Sequence, residues 1–340
     1  MIAYYIVCLA AIILALQFAV APKTARHLTL HYSLDAQLAE PGEKIAFFGS
    51  LANHWFLPVS FINYYVYLPK GAVISGKEIN WEAHSLFLLP HRSYRHTVLF
   101  TLPKRGVYRS GKYYVETGDF LGFKSRVTSR EIPFGITVMP KLCTDEPVLK
   151  ILGDYIGDIS VRRFIMEDPV LTLGYLDYTG REPMKKIAWK HSAKVGRLMV
   201  KNNDYTVDAN AAVVLNMASG SPEEKEKCLE IVRTVCERLE KEQIPYQFLS
   251  NGDAGNLREG FGKKHFDHLM TNLGRSALFS YSSFDSLIER CIRERKRSLS
   301  HFIISAPLTA QDRDALVRLQ RYSEYELCVL EAEVNRDAAC

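Results

Sequence analysis

The chain has 340 residues, 47% of them hydrophobic and 24% charged, with a formal net charge of +5. That length exceeds one small core and predicts two domains. The mild net charge excludes a dedicated nucleic-acid binder, while the local clustering of its cations points to a local partner surface.

Residues 2–20, IAYYIVCLAAIILALQFAV, form the one long apolar run. At ~1.5 Å per residue a helix of that length reaches roughly 28 Å, about one hydrocarbon core, so residues 1–22 are expected to be a transmembrane anchor. A cleaved signal peptide is the rival reading, because Ala19-Val20-Ala21 looks like a cleavage site; yet no Lys or Arg precedes the run and Pro22 follows it. Lys23 and Arg26 lie just after the run, which by the positive-inside rule puts the C-terminal bulk in the cytoplasm. The seven cysteines show no paired spacing. Cys228 and Cys236 fall eight apart on one predicted helix, about 12 Å along it, too far for a bridge. Free thiols in a reducing compartment are the expectation.

Residues 27–141 read as a β-domain. HLTLHYSL, KIAFFGSL and NYYVYL alternate, with turn residues at Pro41-Gly42 and Pro69-Lys70-Gly71. HSLFLLP, RHTVLFTL, GKYYVET and FGITVMP add strands, and many short strands at regular spacing suggest a β-sandwich. A linker and a basic stretch occupy 142–204, with helical turns between Leu142 and Ile165. Over 205–335 the character changes. AAVVLNMA is a continuous apolar run, as for a strand covered on both faces. Ser221-Pro222-Glu223-Glu224 is a helix start, continued by Leu229, Val232, Val235 and Leu239. IPYQFLSN, a helix over Ser283–Arg293, SHFIISA, ALVRLQRYS and YELCVLEAE complete the alternation expected of an α/β domain with a parallel sheet. The expected fold class is therefore α+β multidomain: a transmembrane helix, a β-sandwich, then an α/β domain.

No motif supports ordinary catalysis. The chain has no Gly-x-Ser-x-Gly elbow, no phosphate-binding loop, no dinucleotide fingerprint and no metal-ligand spacing. GDFLGF at 118–123 reads as turns. The loop after AAVVL is Asn216, Met217, Ala218, Ser219, Gly220, and Pro307 and Leu308 follow SHFIISA. A von Willebrand factor A domain carries Asp-x-Ser-x-Ser at the first of these loops to hold a hard cation. Here an amide replaces the carboxylate, so no metal and no cofactor are expected.

The densest chemistry lies in Tyr178–Lys201, YTGREPMKKIAWKHSAKVGRLMVK. Arg181, Lys185, Lys186, Lys190, Lys194, Arg197 and Lys201 there face one acid, Glu182. Three readings stand. The cations are a solvated helical face, with Lys186, Lys190, Lys194 and Arg197 outward and Ile187, Trp189 and Ala193 inward. They bind anionic lipid beside the anchor. Or they dock an acidic protein surface, with Trp189 as an anchor residue. Nucleic acid is disfavoured because aromatics are not interleaved as stacking platforms. The alternating charges of Glu289–Arg297 read as a solvated face.

This stretch resembles the signature of the domain of unknown function 58 family. Tyr178, Gly180, Glu182, Ile187, Trp189, Lys190, Ser192, Ala193, Lys194, Leu198 and Val200 match its pattern or substitute conservatively. KRGVYRSGKYYVETGDFLGF at 104–123 and VMPK at 138–141 are similar to its upstream elements. Leu176 departs from the family's Arg, and Gly180-Arg181-Glu182 replaces its Gly-Asp turn. The resemblance implies a membrane-anchored bacterial protein with a β-sandwich and a degenerate von Willebrand factor A-like domain, in a family with no established catalysis; with no catalytic motif in the chain, a non-catalytic interaction protein is expected. It implies a MoxR-type AAA ATPase as partner, and a transglutaminase-like membrane protein beside it. Tyr178, Arg181, Glu182, Lys186, Trp189, Lys190 and Ser192 are then the expected signature and docking residues. A membrane-associated hydrolase and an extracytoplasmic envelope-assembly module are the alternatives.

Overall fold

Along Lys44–Asn53 burial alternates: Phe47, Gly49 and Leu51 turn inward while Phe48 is exposed. A period of two is what a sheet with one covered face requires. The structure is a computed structural model of the 340-residue chain and describes residues 4–5, 8–9, 27–118, 125–165, 172–203, 210–293 and 299–332. The chain divides into two compact units, one of Met1–Lys141 with Leu273–Arg275, the other of Leu142–Asn272 with Ser276–Cys340.

The first unit holds strands β1 (Leu28–Leu34), β2 (Leu38–Ala39), β3 (Lys44–Asn53), β4 (Val59–Tyr67), β5 (Val73–Ile74), β6 (Trp81–Leu88), β7 (Ser93–Thr101), β8 (Gly106–Gly118) and β9 (Ser125–Val138). They form two sheets, ordered β1-β3-β7-β5 and β2-β9-β8-β4-β6. One apolar core joins them, with Phe47 and Phe100 from the first sheet against Ile62, Val66, Ile132 and Ile136 from the second. Each sheet thus hides one face and wets the other, the arrangement that antiparallel alternation favours.

The second unit opens with helix α1 (Glu146–Ile165) and a hairpin of β10 (Thr172–Asp177) and β11 (Met199–Asn203) that encloses a short helix, α2 (Trp189–Val195). A five-stranded sheet follows: β12 (Ala211–Leu215), β13 (Tyr246–Ser250), β14 (Leu257–Gly260), β15 (Ser300–Ser305) and β16 (Cys328–Glu331), ordered β14-β13-β12-β15-β16. All pairs are parallel except β13 with β14. Every residue of β12, β13 and β15 is buried, because both faces are covered. Ala212, Val214 and Ile303 meet α5 (Phe284–Arg293) and α6 (Ala310–Tyr322) on one face. The alternate residues Val213 and Leu215 are equally buried, and α3 (Pro222–Lys241) contacts β12 and β15. Helix α4 (Lys263–Arg275) completes the elements. Ser221 starts α3 through a capping box: its hydroxyl accepts from Glu224 N at 3.2 Å and the Glu224 carboxylate accepts from Ser221 N at 2.7 Å.

One expectation is corrected. Among the described residues no helix is long and apolar enough to cross a membrane. The two 20-residue helices fail because they carry charge, Lys150, Asp154 and Asp158 in α1 and a run of Glu, Lys and Arg in α3. Residues 1–22 lie outside the described part except for Tyr4, Tyr5, Cys8 and Leu9. The fold described is mixed α/β with four sheets and no transmembrane helix. The cytoplasmic placement depended on that helix, and Lys23 and Arg26 also lie outside the described residues. So do 119–123 of the GDFLGF turn, Glu294–Arg297 of the mixed-charge cluster, 205–209, and the end of the chain beyond 332.

Candidate docking site

The signature stretch folds as a hairpin with its own small interior. Leu176 pairs with Val200 and Asp177 with Met199, and Tyr178 N donates to Leu198 O at 2.9 Å. Gly180, at φ 87°, lets the chain turn where a side chain would be strained. The Glu182 carboxylate closes this turn, accepting from Thr179 N at 3.0 Å and Thr179 Oγ1 at 2.8 Å. These bonds, the hydroxyl's first, hold its pKa below the ordinary carboxylate range. A 3₁₀ turn, Met184–Lys186, follows Pro183 and delivers Ile187 to a bridge with Val200. Helix α2 then runs for seven residues and ends at Gly196, left-handed at φ 74°.

Ser192 ties this together. Its hydroxyl is buried, donates to Ala188 O at 3.0 Å and accepts from Met199 N at 2.9 Å. Ile187, Ala188, Met199 and Val200 are buried around it. Tyr175 stacks on His191, ring centroids 3.9 Å apart at 8°. Arg197 pairs with Asp177 at 3.1 Å, both well exposed, so the pair adds little stability.

The seven expected residues therefore separate into two groups. Ser192 and Glu182 are spent on the hairpin itself, and half-buried Tyr178 joins its strand pairing. Arg181 and Lys190 face solvent, and Trp189 is 61% exposed; Lys186 is half-buried and partnered. The expectation that Ile187, Trp189 and Ala193 share a buried side fails for two of the three. Only Ile187 is buried, because the helix begins at Trp189 and the preceding turn is 3₁₀, which breaks the assumed 3.6-residue register. Reasoning on charge alone missed Met184, 68% exposed, and Tyr175, Leu176 and Leu198, which add apolar surface beside the cations. Met184 and Leu198 could be read as apolar residues set among the cations, whereas Tyr175 and Leu176 precede the stretch and join it only through the β10–β11 pairing.

The crevice at the carboxyl ends of β12 and β15, where α/β sheets usually bind ligands, is closed. Asn216 Nδ2 donates to Ser305 Oγ at 3.0 Å, and its Oδ1 accepts from Asn251 Nδ2 at 2.8 Å and Ala218 N at 3.0 Å. Asn251 Oδ1 accepts from Met217 N at 2.7 Å. A Cβ on Gly220 would lie 2.4 Å from Ala306 Cβ, so the two loops touch. Neutral amides saturate one another where a cation site needs carboxylates, and among the described residues no three His, Cys, Asp or Glu are grouped to hold a metal. The buried thiols are poor nucleophiles: burial pushes Cys228 and Cys328 up to about 12.

No family model matches this sequence, and no curated protein matches it. Among solved structures, the CARDB domain of a Pyrococcus furiosus protein in complex with di-metal ions is 16% identical over 33% of this chain and 91% of its own, at a TM-score of 0.23. The GAE domain of GGA2p from Saccharomyces cerevisiae is 11% identical over 32% and 91%, at 0.23. AvmM, which catalyses macrocyclization in alchivemycin A biosynthesis, is 11% identical over 32% and 89%, at 0.22. Likenesses this slight carry no argument about fold or function.

Proposed function

We propose that this chain is a non-catalytic interaction protein that docks an acidic partner surface through the Tyr178–Lys201 hairpin, with a MoxR-type AAA ATPase as the partner. One observation carries the reading: Trp189 is 61% exposed on a hairpin whose interior closes without it. An exposed tryptophan among cations combines the two side-chain types that dominate protein interfaces, an aromatic anchor and charges that steer encounter. Arg181, Lys185, Lys190 and Lys194 supply the charge, and Met184 and Leu176 extend the apolar contact. A tryptophan serving only to fix the hairpin would be buried. The test is co-purification of the ATPase with the full chain carrying Lys190→Glu and Lys194→Glu. Loss of the ATPase at an unchanged unfolding midpoint is expected, and undiminished co-purification contradicts the reading.

A further inference from the structure

Four buried polar atoms without a hydrogen-bond partner gather between the two sheets of the first unit: Tyr64 Oη, His84 Nε2 and both ring nitrogens of His96. Buried polar groups are normally paired, so such a concentration needs a physical reason. His84 stands on β6, the edge of the five-stranded sheet, and His96 on β7 of the four-stranded sheet. Their ring centroids are 4.8 Å apart at 50°. Tyr64 meets His96 edge-on at 5.0 Å, and Tyr94 stacks on it at 5.9 Å and 11°. The seat is built for this ring: a Cβ on Gly49 would lie 2.1 Å from His96 Cε1.

The charges around the pair are lopsided. On β6, Glu82 Oε1 lies 3.6 Å from His84 Nε2 and can pair with it once protonated. On β7, Tyr94 Oη is 3.4 Å from His84 Nδ1. β4 contributes Tyr64, β8 contributes Tyr113, and Arg130 of β9 is engaged with Tyr113. β3 offers Phe47 and Gly49, and Tyr32 of β1 stacks on Phe47 and interacts with Tyr113. Among the described residues no carboxylate lies within ion-pair reach of His96.

We propose that His84 and His96 form an acid-sensitive latch between the two sheets. Neutral, the tilted rings pack against each other between the two sheets; protonated, they set two like charges against each other across the inter-sheet gap and loosen it. A charge on His84 opposes one on His96. Burial first, then His84, lowers His96 from 6.5 to about 4. Because the folded state binds fewer protons than the unfolded one, this stability is complete above pH 6.5 and is lost as pH falls toward 4. Each pH unit in that window lowers the folding constant by up to about tenfold per such histidine. The latch does not depend on the docking hairpin.

The experiment is an NMR titration of the assigned histidine rings in the full chain, wild type and His84→Gln, with unfolding midpoints of wild type and His96→Phe from pH 7.5 to 4.5. Wild-type His96 is expected to stay neutral to below pH 5 and to titrate at higher pH once His84 is gone. His96→Phe is expected to lose less stability on acidification than wild type. A wild-type His96 titrating near 6.5, or one unmoved by His84→Gln, overturns the latch. Equal acid losses in wild type and His96→Phe do so as well. Should His96→Phe not fold, the ring titrations decide alone.

Discussion

Ser192 and Trp189 stand three residues apart and do opposite things. Ser192 Oγ is the acceptor for Met199 N inside the hairpin, so Ser192→Ala leaves a buried donor unpaired and is expected to cost roughly 1–3 kcal/mol, measured by chemical denaturation. Trp189 is 61% exposed, so Trp189→Ala is expected to cost less than about 0.5 kcal/mol in the same assay. Asn216 carries more than either. Asn216→Leu strands Ala218 N and Asn251 Nδ2 and removes the donor to Ser305. On the order of 3 kcal/mol is expected, since several buried groups lose partners together. A stability change under 1 kcal/mol in that variant would mean that the amide network is not what closes the crevice.

At the scale of elements, the Ser221 capping box on α3 predicts that Ser221→Ala lowers stability by about 1 kcal/mol, read from the thermal midpoint. This cap was plain in the sequence, because Ser-Pro-Glu-Glu carries its own chemistry. The buried strand AAVVL was equally plain, since a run without polar interruption fits only a two-sided cover. The hairpin was harder to read. Its cations recur at helical spacing, yet Pro183 and Gly196 confine the helix to Trp189–Val195, and no periodicity count sees a 3₁₀ entry. The acid opposing Arg197 proved to be Asp177, one residue before the stretch and brought near only by strand pairing. The inter-sheet histidines were invisible for the same reason: His84 and His96 sit twelve apart in sequence on strands of different sheets. The amide network was half legible. Asn216 without a carboxylate could be read, but its partners Asn251 and Ser305 come from two other strand ends.

In the whole molecule, stability and binding rest on different residues. In the second unit His301 is buried on β15, and burial lowers it from 6.5 to about 4. Its neutral form is the stable one, so its contribution is whole above pH 6.5 and fades as pH falls toward 4. Over that window roughly 3 kcal/mol is lost, and His301→Gln should flatten this part of the acid transition. None of this touches the hairpin, whose outward residues have little to do with folding. The most direct measurement is therefore the affinity of the purified full chain for a MoxR-type AAA ATPase, wild type against Trp189→Ala combined with Lys190→Glu. At least about a tenfold loss, some 1.4 kcal/mol, is expected, with an unchanged unfolding midpoint. Equal affinity in a fully folded variant would contradict it.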